Sequence, residues 1–238
     1  MAGSSPMSPC TPDYRRRGIA RELVHAGLDV LRARGAPSAV LQVKHDNHGA
    51  VALYRQLGFY HVRTWDTWRR PAHLGALPVD FDRGENLDDL VELAGANDWR
   101  AVYDLARIAR PTGLGWMRAT TPGAFRPGLW GALGDYLSGK VEERYVVRGG
   151  GSGDALVAAL TISMPLASAV DVLTLMVHPS QRGRLERPLL AYALRRLRGR
   201  RRAVAIEHPH DDTAGAAALE ALGFVRRETL AVMRHDLR

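Results

Sequence analysis

The sequence predicts an α/β protein, α+β in the grouping of some of its strands, built from two related units. Two observations carry this. Helical and strand periodicities alternate along the chain, separated by Gly- and Pro-containing turns. In addition, a block near the N-terminus returns about 165 residues later. Leu57-Gly58-Phe59 recurs as Leu222-Gly223-Phe224 and His45-Asp46 as His210-Asp211, both at a spacing of 165. Leu23, Leu28, Leu31 and Arg32 recur as Leu189, Leu194, Leu197 and Arg198 at 166, and Pro12 and Arg15 as Pro179 and Arg182 at 167. Single-residue deletions account for the drift, and a tandem duplication accounts for the whole pattern.

In the first copy, apolar positions after Gly18 (Ile19, Leu23, Ala26, Val30, with Ala20, Val24 and Leu31 beside them) fall at helical spacing. Gly35 can take a left-handed cap and Pro37 blocks continuation. Ala39 to Val43 reads as a short buried strand, Lys44 to Asn47 as a loop, Ala50 to Leu57 as a helix ended by Gly58, and Tyr60 to Trp68 as a strand. The window before Gly18 contains Pro6 and Pro9, which exclude a central strand, so the first copy is expected to lack its N-terminal strands.

The second copy is introduced by a stretch around Asn86 to Ala109 that reads as helix. Strands follow in "EERYVVR", "ALVAALTIS" and "VDVLTLMV", the first two joined by the hairpin-type turn "RGGGSGD". The expected division is a first unit over residues 1–70, a linker over 71–85 and a second, complete unit over 86–238.

Among the 238 residues, 46% are hydrophobic, enough for a buried core, and the formal net charge is +8. The excess of arginine favours a polyanionic partner, whether coenzyme phosphate, nucleotide, nucleic acid or membrane surface. One cysteine, Cys10, excludes an internal disulfide framework, and the first ten residues lack the basic start and apolar run of a signal peptide. These features are those of a protein of the reducing cytoplasm, and no apolar run reaches membrane-spanning length.

The candidate chemistry begins at Arg15, Arg16, Arg17, Gly18, Ile19 and Ala20. Backbone amides leading into a helix N-terminus bind phosphate, because the orphan N–H groups and the helix dipole face the anion together. Small residues at 18 and 20 admit a ligand close to the backbone, and the arginines add charge; a solvated arginine cluster before an ordinary helix is the plainer alternative. Taken with the strand that follows and "NHGAVALYRQLGF", Asn47 to Phe59, this loop resembles the GNAT superfamily of acetyl-coenzyme A dependent N-acetyltransferases. The two-copy arrangement resembles mycothiol synthases, tandem members with one active and one degenerate unit. The resemblance implies tandem units with a mixed, twisted sheet splayed between two central strands, acetyl-coenzyme A as co-substrate without a metal, and an amine of a small molecule or peptide as acceptor. It implies that residues 15–20 bind the pyrophosphate through their amides, that Asn47 lies by the pantetheine arm, and that Tyr54 protonates the departing thiolate. For Tyr54 the alternative is a ring packed on the core.

In the second copy Gly18 becomes Leu185 and Ala20 becomes Arg187, while Asn47 becomes Asp212 and Tyr54 becomes Leu219, which has no proton to give. A degenerate unit is expected. His45, Asp46 and His48, and likewise His208, His210, Asp211 and Asp212, do not make the spacing of a closed metal site. The run Arg195 to Arg202 lacks interleaved aromatic residues, so nucleic acid is the less favoured partner and a solvated helix end the plainer reading. The tryptophans read as core anchors. No group is marked as a general base; Asp88, Glu92 and Glu143 carry no distinguishing pattern. Beside the acetyltransferase reading stand an incomplete or non-catalytic coenzyme-binding protein and, third, a basic nucleic-acid binder. An exposed half-sheet would call for a covering surface, for which a homo-oligomer is one source.

Overall fold

The computed structural model describes residues 17–74, 90–109, 139–149 and 155–237. The chain divides into two compact units, one formed by residues 1–65 with 229–238 and the other by residues 66–228. Arg15, Arg16, the proline-containing window, most of the 71–85 stretch, Asp88, Trp116 and Trp130 lie outside the described residues.

In the first unit, helix α1 spans Ile19–Ala33, strand β1 Ser38–Lys44, helix α2 His48–Gln56, and strand β2 begins at Tyr60. Gly35 has φ 69° at the end of α1, the left-handed stop its sequence foreshadows. Strand β8, Val225–Asp236, pairs antiparallel with β1, Ser38 opposite Asp236 through Lys44 opposite Leu230. Their core consists of Leu28, Ala39, Val43, Leu57, Phe59, Ala231 and Met233, with Val24 and Leu31 packed on it from α1. Leu28 is the one fully buried residue of α1, and burying a leucine contributes about 2 kcal/mol. Leu23 and Val30, seven residues apart on the same helix, stay exposed.

The second unit contains the remainder of β2, which runs to Arg70, and the strands β3 (Val91–Leu93), β4 (Lys140–Arg148), β5 (Leu156–Pro165), β6 (Val170–Val177) and β7 (Ala203–Pro209). Its helices are α3 (Trp99–Ala109), α4 (Glu186–Arg196) and α5 (Thr213–Ala221). Neighbouring strands follow the order β2-β7-β6-β5-β4-β3. β3, β4, β5 and β6 pair antiparallel in succession, and β6 with β7 is parallel, so the sheet is mixed. One strand was not foreseen. The 86–109 stretch reads as a single helix, yet Val91–Leu93 pairs with β4 and only Trp99–Ala109 is helical. The reason lies in Gly95 to Asp98: the Asp98 carboxylate accepts the Gly95 amide at 2.7 Å, closing a turn that restarts the chain as a helix at the next residue.

The parallel pairing of β6 with β7 covers Val170–Leu173 against Ala203–Ile206, although β6 continues to Val177 and β7 to Pro209. The two strands part after four residue pairs, which is the splay that the sequence resemblance implies. Beneath the sheet, Leu160, Ile162, Leu173, Leu189, Leu190, Ile206, Leu219 and Leu222 form a core in which none is more than 2% exposed. Trp68, the β2 residue expected to be an anchor, is buried in the same core.

The duplication is visible element by element. β1 and β7 each have seven residues and α2 and α5 each nine, and both pairs are offset by 165 positions. Gly58 and Gly223, also 165 apart, have φ 84° and 81° and turn the chain out of α2 and α5.

Candidate functional site

In the first unit, Gly18 is the residue that opens α1. Its φ of 83° is left-handed, a conformation that favours glycine, and a Cβ built on it would meet nothing within 4 Å among the described residues. Arg21 and Glu22 donate their amides to the Gly18 carbonyl at 2.9 and 3.2 Å, and among the described residues no side chain caps the helix. The amides of Ile19 and Ala20 belong to the first turn, whose N–H groups have no intrahelical acceptor to use. An exposed, uncapped helix start with a left-handed glycine is a fit for an anionic group that approaches the main chain closely. Of the arginine triplet, Arg17 is described and is exposed.

Asn47 and Tyr54 belong to α2. The Asn47 side-chain oxygen accepts the Ala50 amide at 3.1 Å, so its first duty is to cap the helix, a role that suits asparagine at this position. Tyr54 is half-buried against the first unit's core, its ring edge-on to Phe59 at 5.7 Å between centroids. Burial pushes its phenol pKa upward, so the hydroxyl keeps its proton through neutral and moderately alkaline pH. The ring thus packs on the core, as the plainer reading of Tyr54 has it, and the hydroxyl keeps its proton. Arg21 of α1 donates to Gln56 of α2 at 2.7 Å, tying together the helices that carry the loop and the tyrosine.

The corresponding positions of the second unit are built differently. Leu185 opens α4 in a right-handed conformation, and the carboxylate of Glu186 turns back to accept the Gly183 amide at 2.7 Å. Glu186 is 1% exposed, and burial raises its pKa. Nothing in the sequence marks this residue beyond an acid in the first turn of a helix. Asp212 stands where Asn47 stands in the first unit and caps α5 through the Gly215 amide at 3.0 Å, while its other oxygen is 3.0 Å from His208 Nε2. Burial alone would raise the Asp212 pKa; the His208 bond and the Gly215 amide outweigh it and hold it low. Leu219, in the place of Tyr54, is completely buried.

The remaining candidates are drawn into structural pairs. His210 Nδ1 lies 3.0 Å from buried Asp66. Glu143 accepts Arg196 at 2.8 Å and the Tyr145 hydroxyl at 2.8 Å, and Glu92 pairs with Arg148 at 3.0 Å. Among the described residues, no group of three or more acidic, histidine or cysteine side chains is placed to hold a metal ion, and no helix is long and apolar enough to cross a membrane.

Residues 10–59 match the acetyltransferase (GNAT) family model. The chain is similar to the [ribosomal protein bS18]-alanine N-acetyltransferase of Escherichia coli, 44% identical over 76 residues that cover 29% of this chain and 51% of that protein. It is also similar to the mycothiol acetyltransferase of Saccharomonospora viridis, 45% identical over 53 residues that cover 22% of this chain and 17% of the other. Each match spans at most about half the length of the curated relative. In three dimensions, a tandem GNAT protein from the clavulanic acid biosynthesis pathway superposes with a TM-score of 0.57 at 17% identity, over 95% of this chain and 72% of that one. The first unit carries the GNAT signature, and the fold is that of a tandem GNAT protein.

Proposed function

We propose that the protein is an N-acetyltransferase whose first unit binds acetyl-coenzyme A and whose second unit has a structural role. The observation that carries this reading is the left-handed, uncapped Gly18 at the start of α1, inside the segment that matches the GNAT family. The amides of Ile19 and Ala20 would hold the pyrophosphate, with Arg15, Arg16 and Arg17 adding charge. Asn47, whose side chain caps α2, would lie by the pantetheine arm. Bound acetyl-coenzyme A supplies an activated thioester. A neutral amine of a small molecule or peptide attacks the carbonyl carbon, a C–N bond forms as the C–S bond breaks, and the amine sheds its extra proton to solvent. The Tyr54 hydroxyl gives its proton to the leaving sulfur, a role for which a raised phenol pKa is suitable, since the group stays protonated at working pH. In the second unit, the Glu186 carboxylate already neutralises the helix start where a phosphate would bind, and Leu219 offers no proton.

Titration calorimetry with acetyl-coenzyme A, followed by a thiol-release assay with a panel of amines, tests this. Binding is expected in the wild type, with Tyr54→Phe leaving affinity within about twofold and lowering turnover by roughly 10²-fold or more, the span of general acid catalysis. Absence of binding at low salt removes the coenzyme reading. Equal turnover in Tyr54→Phe removes the tyrosine from the acid role.

A further inference from the structure

Three arginine doublets of the second unit, Arg69-Arg70, Arg200-Arg201 and Arg226-Arg227, are each split in the same way. Arg70 is buried and donates Nε to the Leu222 carbonyl at 2.9 Å. Arg200 makes a two-pronged pair with Asp171, which is completely buried, at 3.0 and 3.2 Å. Arg226 lies 3.5 Å from Asp66 and 4.9 Å over the Trp68 ring. The other member of each doublet, Arg69, Arg201 or Arg227, lines one open cavity of about 750 Å³. Alternation along β2 and β8 explains two of the splits, because consecutive strand residues point to opposite faces. None of these three guanidiniums meets a carboxylate among the described residues, and no acidic side chain lines the cavity.

The wall of the cavity is also built. Arg202 donates through one nitrogen to the carbonyls of Pro165 and Ser168, both at 2.8 Å, and so fixes the turn between β5 and β6 that carries Leu166 and Ser168 to the cavity. Four arginines therefore line one concavity with no acidic side chain among its described lining residues. Their mutual repulsion is relieved by an anion, and guanidinium forks match phosphate oxygens in pairs. The cavity lies where β7 begins, at Ala203, and the loop after β7 that holds Asp212 is roughly 20 Å away along the strand. Its lining includes no residue of the α4 start.

We propose that this cavity binds a small oligophosphate anion, the terminal phosphates meeting Arg69, Arg201 and Arg227 and the Arg202-braced turn forming the floor. A concave site of this volume suits a compact phosphorylated molecule better than an extended nucleic-acid backbone, which would need a continuous track.

Calorimetric titration of the full chain with inorganic tripolyphosphate at low ionic strength provides the test. Saturable binding is expected, and the variant Arg69→Ala/Arg201→Ala/Arg227→Ala should lose at least tenfold in affinity while retaining its thermal transition. A second variant, Arg201→Lys/Arg227→Lys, keeps the charge without the forks and should fall between the two. Acetyl-coenzyme A affinity should be unchanged in both, which keeps this result separate from the first unit's activity. Equal tripolyphosphate affinity in wild type and triple variant overturns the proposal. So does a twelve-nucleotide single strand that binds in a cavity-dependent manner when tripolyphosphate neither binds nor competes.

Discussion

Glu186 accepts the amide of Gly183 with one oxygen at 2.7 Å, while its other oxygen, also buried, has no hydrogen-bond partner among the described residues. A carboxylate so placed stabilises the helix start and pays for desolvation at once. Burial raises its pKa, with nearby Asp212 adding to the effect. For an acid with a raised folded pKa, the two states differ little below the unfolded value near 4.3, and the cost to the fold grows as pH rises toward the folded value. Glu186→Gln should therefore gain stability relative to wild type between about pH 4 and neutrality, and the thermal midpoints of the two proteins should converge in acid. A difference that does not change with pH would show that the carboxylate carries no titrating cost.

Gly18→Ala separates backbone strain from packing. Among the described residues no atom stands in the way of the new methyl group, so the expected penalty is that of the left-handed φ, on the order of 1 kcal/mol. In a chain of this size that corresponds to a fall of about 2–4 °C in the thermal midpoint, measurable by calorimetry. A larger fall would show that the residue does more than turn the chain.

Gly215→Ala should be far more costly. A Cβ there would collide with the imidazole of His208, which Asp212 holds in place and which is itself buried. Relief requires moving either the ring or α5, at about 2–3 kcal/mol, and the Asp212–His208 bond would be strained or broken. Chemical denaturation reads the loss directly.

Arg200→Ala leaves the completely buried Asp171 without its two-pronged partner. The expected loss is on the order of 3 kcal/mol at neutral pH, most of it the cost of an unpaired buried charge. Asp171→Asn in the same background should recover part of it; Arg201→Ala, the neighbour without a carboxylate partner among the described residues, should change stability little.

Much of this architecture is legible in the residues because local chemistry and tertiary demand agree. Gly35, Gly58 and Gly223 stop their elements where the sequence places the stops, all with positive φ. The Leu-Gly-Phe repeats bury leucine and phenylalanine in both copies, with the turn glycine exposed at Gly58 and partly covered at Gly223. The helix-start loop could be read because its chemistry depends on main chain and small residues in sequence. Val91–Leu93 could not be read, since three residues carry too little periodicity to compete with the helix that follows, and their strand state comes from pairing with β4. Glu186 and the split arginine doublets escape for a related reason. Their significance depends on which face a side chain takes and which distant group meets it, as Asp171 meets Arg200 from 29 positions away. The nucleic-acid and helix-end readings of Arg195 to Arg202 treat these residues as one run, whereas the fold sends Arg196 to Glu143, Arg200 to Asp171, and Arg201 and Arg202 to one cavity.

The pairing of Ser38 with Asp236 joins residues about 200 positions apart within a single compact unit. On a ribosome, β1 therefore emerges long before the strand that completes its ladder, and at ordinary translation rates it waits on the order of 10 s or more. During that interval its edge is open to any other extended chain. The nascent first unit is thus exposed to non-native pairing for longer than the antiparallel run from β4 to β6, which is local in sequence and can close as it is made.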